Sequence, residues 1–224
     1  MAELYLVRHG QAAFGTDDYD RLTPLGHQQS RWLGEYFRER DLGFDLVITG
    51  TLRRHRETLA GIAEGGAALV DSEQHAGLDE YQAETLLAAW LRHRQLPAPV
   101  DAEDRRHHFR VLREALHAWC DGDLTAESHL SFADFVQGAR SALAAAQARK
   151  DAQRVLIVSS GGPIATLVGS VTGMGSRAIV NLNLQIRNAS FCEFRMNAHV
   201  VHCVSFNNVP HLDRLDRRSL ITYS

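Results

Sequence analysis

Short apolar runs alternate with helical periodicities along most of the chain. Leu4 to Val7 is an apolar run that stops at Arg8-His9-Gly10, the pattern of a buried strand breaking into a loop. Thr23-Pro24 opens a helix, with Thr23 as N-cap and proline at the first helical position. Leu25, Gln29, Trp32, Leu33, Tyr36 and Phe37 follow at helical spacing and give that helix one apolar face. Phe44 to Ile48 predicts a second strand, Thr49-Gly50-Thr51 a turn, and Leu52 to Ala63 a second helix. Ala68 to Val70 predicts a third short strand. From Glu84 to Lys150 the pattern is helical and rich in Ala, Leu, Arg and Glu. Pro97, Pro99 and Asp121-Gly122-Asp123 divide it into helices at about 84–95, 103–120 and 132–149. Val155-Leu156-Ile157-Val158, bounded by Arg154 and Ser159, suits a central parallel strand covered on both faces. A helix to about Val171 follows Ser159-Ser160-Gly161-Gly162-Pro163. Ala189 to Arg195 and Val200 to Phe206 alternate around Met196-Asn197-Ala198-His199, which predicts a hairpin.

The order strand–helix–strand–helix implies an α/β fold: a three-layer α/β/α sandwich on a mostly parallel sheet, with a C-terminal antiparallel hairpin. The stretch at about 84–150 is expected as an inserted helical cap within one domain spanning 1–224. In such sheets ligands bind at the carboxyl ends of the strands. Two predicted ends carry chemistry-prone sequence: Arg8-His9-Gly10 and Ser159-Ser160-Gly161-Gly162.

Composition narrows the classes without choosing among enzymes. The 224 residues are 45% hydrophobic and 23% charged, with a net charge of -3 and no basic block, which argues against nucleic acid as the main partner. No apolar run could span a bilayer and no leader pattern is visible, so the expectation is a cytoplasmic protein without a membrane partner. The three cysteines lack metal-ligand spacing, although Cys192 and Cys203 could face each other across the hairpin. Among twelve histidines only His107-His108 cluster, on a polar stretch where a solvated face is expected. No Gly-x-Gly-x-x-Gly or Gly-Lys-Ser/Thr loop follows the first strand, which removes the usual nucleotide-binding signatures.

An Arg-His pair after a strand is only suggestive, and a single Arg at a helix start reads as a solvated charge. The combination is specific. Leu6-Val7-Arg8-His9-Gly10-Gln11, Leu22-Thr23-Pro24-Leu25-Gly26, Leu52-Arg53-Arg54-His55-Arg56-Glu57-Thr58, Leu78-Asp79-Glu80, Val158-Ser159-Ser160-Gly161-Gly162 and Asn207-Asn208-Val209-Pro210-His211-Leu212 occur in the order of the histidine phosphatase superfamily, also called phosphoglycerate mutase-like. The chain resembles that family over nearly its whole length, least so at 84–150.

The resemblance implies roles. His9 aligns with the nucleophile; imidazole, with an ordinary pKa of about 6.5, is largely neutral near pH 7 and can accept a phosphoryl group. Arg8 and Arg54 align with the arginines that grip phosphoryl oxygens, for which a planar guanidinium fork is suited. Glu80 aligns with the general acid, with Asp79 and Glu84 as rivals. Gly161 and the helix after it would add backbone N–H donors, and Gln11 and Thr23 are further pocket-lining candidates. No metal or cofactor is implied; the expected partner is a small phosphorylated substrate or phosphate, and many relatives form homodimers.

One position departs from the pattern. Members usually carry a histidine where this chain has Ser160. Serine can donate one neutral hydrogen bond but cannot become cationic, and losing one donor from a preorganised oxyanion site costs on the order of 3 kcal/mol. His55 or His211 could fill the gap, but the sequence supplies no geometric reason for either. The expectation is a slow or specialised phosphatase. Its alternatives are a catalytically impaired phosphate-ester binder and, behind it, a phosphoglycerate mutase, whose longer pocket insertions the 84–150 segment does not resemble. If Arg105, Arg106, His107 and His108 faced the pocket, polyanionic substrates would be favoured.

Overall fold

The computed structural model describes residues 1–16, 18–95, 105–127 and 129–223, with Arg105 and Arg106 described by backbone alone. Pro97 and Pro99 lie outside the described residues. The chain runs through β1 (Ala2–Arg8), α1 (Pro24–Glu39), β2 (Leu46–Thr49), α2 (Arg53–Glu64), β3 (Ser72–Gln74), a 3₁₀ turn at Ala76–Leu78, α3 (Ala83–His93), α4 (Arg105–Asp121) and α5 (Phe132–Ala148). It continues through β4 (Arg154–Ser159), α6 (Gly161–Thr172), α7 (Ser176–Asn183), β5 (Phe191–Met196) and β6 (Val201–Asn208), and closes with a 3₁₀ turn at Arg218–Leu220.

The strands form one sheet in the order β3-β2-β4-β1-β5-β6. The four strands from β3 to β1 are parallel to their neighbours, and β5 and β6 add the antiparallel edge. Period-two alternation sorts the side chains of β1 and β4 onto the two faces. Leu4, Leu6, Val155 and Ile157 join Ala139, Ala142, Leu143 and Ala146 of α5 and Ile164 and Val168 of α6 on one face. Tyr5, Val7, Leu156 and Val158 join Leu33 and Phe37 of α1, Ile62 of α2 and Phe191 on the other. Both faces are covered, which is why these strands read as unbroken apolar runs.

The predicted helical stretch divides in two. α5 belongs to the layer against the sheet, whereas Leu86 of α3 and Leu112, Ala115, Leu116 and Trp119 of α4 pack with Phe135 of α5 and Val180 of α7 in a separate cluster. Thr23 caps α1 through Gly26 N–H at 3.0 Å with Pro24 in the first turn, as its sequence predicts.

Two expectations are corrected, and one helix forms where the sequence predicts none. The third strand is Ser72–Gln74 rather than Ala68–Val70. Leu69 makes only a single bridge to Phe44, and the strand that pairs with β2 is polar and exposed, as suits a sheet edge. α7 was not foreseen, because its eight residues bury only Ile179, Val180 and Asn183 and leave no extended apolar stripe. Cys192 lies opposite Leu6 and Cys203 opposite Phe194, so they do not face each other, and all three cysteines are free thiols. Among the described residues no helix is long and apolar enough to cross a membrane.

Candidate active site

β1, β2 and β4 end side by side, and the residues after them form a buried polar centre. His9 N–H donates to Ser159 O at 3.0 Å, tying the end of β1 to the end of β4. Ala189 N–H and Asn188 Nδ2 donate to His9 O at 3.1 and 3.4 Å, so the loop before β5 fixes the histidine backbone from the other side. Asn207, at φ 59°, holds that loop: its Oδ1 accepts Arg187 N–H at 2.8 Å and its Nδ2 donates to Gln185 O at 2.9 Å.

The His9 ring is 1% exposed. Its Nδ1 lies 2.7 Å from Gly10 O, which accepts only if Nδ1 carries the proton; Nε2 is then the nitrogen with the free lone pair. Burial lowers the His9 pKa well below 6.5, with Arg54 and Arg8 adding repulsion, so the ring is neutral at pH 7. Gly10 follows His9 without a side chain. The close approach it permits is to α1, since a Cβ there would lie 2.4 Å from Gly26 O.

Arg8 and Arg54 are each 5% exposed, a costly position for a charged side chain. Arg8 Nη1 donates to Ile186 O. Arg54 Nη1 donates to Asp20 Oδ1 at 2.9 Å, Nη2 approaches Ser160 Oγ at 3.5 Å, and the guanidinium lies 5.2 Å from the centre of the Tyr19 ring. The Nε of each arginine is buried without a hydrogen-bond partner. Burial lowers the Arg8 pKa and repulsion from Arg54 lowers it further, while the Glu80 carboxyl raises it, which places all three groups within electrostatic reach.

Glu80 follows the 3₁₀ turn, which Ser159 Oγ anchors by donating to Leu78 O at 2.7 Å. Both Glu80 oxygens accept the N–H of Gly162 at 3.1 Å. A Cβ on Gly162 would sit 2.1 Å from Glu80 Oε1, so glycine at this position is what lets the carboxyl reach the helix start. Burial raises the Glu80 pKa above the ordinary carboxylate range, against the lowering effects of Gly162 N–H, Arg54 and Arg8.

The remaining predicted residues fall in different places. Ser160 is fully buried as N-cap of α6, and its Oγ lies 2.7 Å from His55 Nε2. Gly161 opens α6 against Asn183, and the Gly162 N–H is taken by Glu80. Gln11 and Thr23 bond to each other at 2.8 Å on the wall of a cleft of about 280 Å³ that Phe14, Tyr19, Arg21 and Tyr223 also line. His211 is buried elsewhere, beside Tyr36. The His108 ring meets Phe14 at 5.4 Å, and His107 Nδ1 lies 2.6 Å from Arg110 Nη2. Asp79 turns from the centre to accept Thr51 N–H at 2.6 Å. The sequence does not single out Asp20, Tyr19, Asn188 or Thr58, whose Oγ1 accepts Gly10 N–H at 3.0 Å and donates to Arg54 O at 2.7 Å. Thr58 sits four positions after Arg54, a helical spacing that could have flagged it; nothing local marks the other three. No group of His, Cys, Asp and Glu among the described residues is arranged to hold a metal ion.

Known proteins resemble this chain in sequence and in fold. The family model of the histidine phosphatase superfamily (branch 1) matches residues 4–209. A Hydrogenobacter thermophilus protein with the provisional name phosphoserine phosphatase 2 is 25% identical over 225 residues, covering 96% of this chain and 100% of that protein. Bacillus stearothermophilus YhfR superposes with a TM-score of 0.70 at 19% identity, covering 94% of this chain and 99% of its own. Phosphoserine phosphatase from Entamoeba histolytica, solved in complex with 3-phosphoglyceric acid, gives 0.66 at 19% identity over 95% of this chain and 100% of its own. With the family model covering nearly its whole length and the fold matching throughout, the chain belongs to branch 1 of the histidine phosphatase superfamily.

Proposed function

We propose that this protein hydrolyses small phosphomonoesters through a phosphohistidine formed on His9. The observation that carries the reading is the pairing of two buried guanidiniums, each with an unpartnered Nε, beside a neutral histidine. Two buried cations are balanced only in part by Asp20, whose side chain is 39% exposed, so the centre attracts a compact dianion. Arg8 and Arg54 would grip the equatorial oxygens while His9 Nε2 attacks phosphorus. The bond from phosphorus to the leaving oxygen breaks as Glu80, whose pKa burial raises, gives that oxygen its proton. Glu80, now ionised, takes a proton from water as the water attacks phospho-His9, and phosphate leaves with His9 restored. The family's phosphatase members and the phosphoserine and 3-phosphoglycerate ligands of the Entamoeba proteins support a phosphoserine- or phosphoglycerate-type ester. The cleft beside Gln11 and Tyr19 has room for the organic part of such an ester.

A second reading, phosphoester binding without turnover, rests on Ser160 in place of the family's usual second histidine. Hydrolysis of p-nitrophenyl phosphate and trapping of an acid-labile phospho-enzyme decide between them. The phosphatase reading expects both in the parent protein and neither in His9→Ala. Equal rates for parent and His9→Ala would overturn it, and phosphate affinity without turnover would establish the second.

A further inference from the structure

Ser160 and His55 are separated by 105 residues, and both are fully buried. His55 Nε2 lies 2.7 Å from Ser160 Oγ, a short contact in which one partner must donate. His55 stands in the first turn of α2, next to Arg54, and its ring centre lies 5.9 Å from that of His9. Arg54 Nη2 reaches the same serine oxygen at 3.5 Å. On the far side of the ring, Nδ1 has no hydrogen-bond partner, and its neighbouring carboxylate, Asp79 Oδ1, is 3.8 Å away. The loop after β2 closes this flank, since a Cβ on Gly50 would lie 2.2 Å from His55 Nδ1 and 2.6 Å from Asp79 Oδ1. A histidine that only filled space would not need its nitrogen aimed at the hydroxyl beside the phosphoryl site.

The proton has two places to go. With Nε2 as acceptor, the serine hydrogen is spent on His55 and the hydroxyl offers the site nothing. With Nε2–H as donor, Ser160 Oγ accepts from His55 and approaches Arg54, and its own O–H is free for a third group. A hydroxyl that accepts two hydrogen bonds is also a stronger donor, because linked bonds polarise one another. Burial holds His55 neutral, with a pKa lowered to about 3, so the ring carries one proton, and the Ser160 hydroxyl is a partner within hydrogen-bond distance.

We propose that His55 is a positioning residue that acts through Ser160: its Nε2–H, with Arg54, holds the serine oxygen so that the hydroxyl donates to a phosphoryl oxygen in transfer to His9. The inference rests on the phosphohistidine reading above. It assigns this chain a two-residue device, His55 and Ser160, at the place where its relatives usually carry one histidine.

The test uses side chains that reach different atoms. Glutamine places its amide near the position of histidine Nε2, whereas asparagine reaches only as far as Nδ1. In p-nitrophenyl phosphate hydrolysis, His55→Asn and Ser160→Ala are each expected to lower kcat about 10- to 100-fold, toward the loss seen on deleting one oxyanion donor. KM should change less than kcat, and His55→Gln should recover most of the rate at a thermal midpoint no higher than that of His55→Asn. The double variant His55→Asn/Ser160→Ala should be no slower than the slower single one, because the two residues act as a unit. Multiplying losses, a His55→Asn enzyme as fast as the parent, or a His55→Gln enzyme no better than His55→Asn would overturn the proposal. If the parent shows no turnover, the phosphatase reading falls. Vanadate affinity then decides the device alone: weaker binding by His55→Asn than by His55→Gln supports it, and equal binding overturns it.

Discussion

Replacing Glu80 by glutamine separates its proton from its shape. The amide keeps a carbonyl where Oε1 accepts Gly162 N–H at 3.1 Å, so folding should change by no more than about 1 kcal/mol. What disappears is the transferable proton. General acid catalysis is worth about 10²- to 10⁴-fold, or about 3 to 5 kcal/mol of barrier. An alkyl phosphomonoester, whose leaving alkoxide needs that proton, should lose kcat/KM by this amount. p-Nitrophenyl phosphate, which departs as a stabilised phenolate, should lose about tenfold at most. The pH profile gives an independent check. Burial raises the Glu80 pKa, and in the proposed mechanism the protonated form is the active one. Activity of the parent on the alkyl ester should therefore fall as pH rises through that pKa, and Glu80→Gln should lack this limb. Equal losses on both esters, or an unchanged alkaline limb in Glu80→Gln, would refute the assignment of Glu80 as acid.

Two further outcomes concern the buried histidines. Burial lowers the pKa values of His55 and His211 to about 3, so both depress proton uptake in the folded state. Their stabilisation is present above about pH 6.5 and is lost as pH falls toward 3; between pH 6.5 and 5 each accounts for about 2 kcal/mol. Denaturant melts should show His211→Phe with a shallower loss over this interval than the parent, and parallel slopes would contradict the prediction. Ser160→His alone would press a second imidazole against His55, where 2.7 Å now separates Nε2 from Oγ, and should cost about 1 to 3 kcal/mol. Adding His55→Ala should relieve the crowding and raise stability above that of Ser160→His. A double variant less stable than Ser160→His would show that the two side chains do not compete for the same space.

Much of the scaffold was legible because its determinants are local. The unbroken runs Leu4 to Val7 and Val155 to Val158 announced strands buried on both faces, and Thr23-Pro24 announced the start of α1. The edge strand β3 was misplaced because Ser72-Glu73-Gln74 has no apolar signature: an edge strand is held by backbone pairing to β2, which any side chains permit. α7 escaped because a helix of eight residues needs only a few buried positions. Candidate chemistry was legible as residue types at strand ends, Arg8-His9 at the end of β1 and Ser160 after β4, and through Arg54 and Glu80 in motifs between them. The structure brings these residues together.

By itself the sequence determined most of the strands and helices, though not β3 or α7, and that imidazole and guanidinium groups stand at the end of β1. Tertiary structure alone decided their partners. Arg8 meets Ile186 O 178 residues away, Glu80 meets Gly162 N–H 82 residues away, and His55 rather than His211 meets Ser160. The physical reason is that periodicity and capping depend on neighbours within a turn or two. The direction of a buried nitrogen, the tautomer it holds and the pKa it acquires depend on groups that only the closed sheet and its loops carry to within 4 Å.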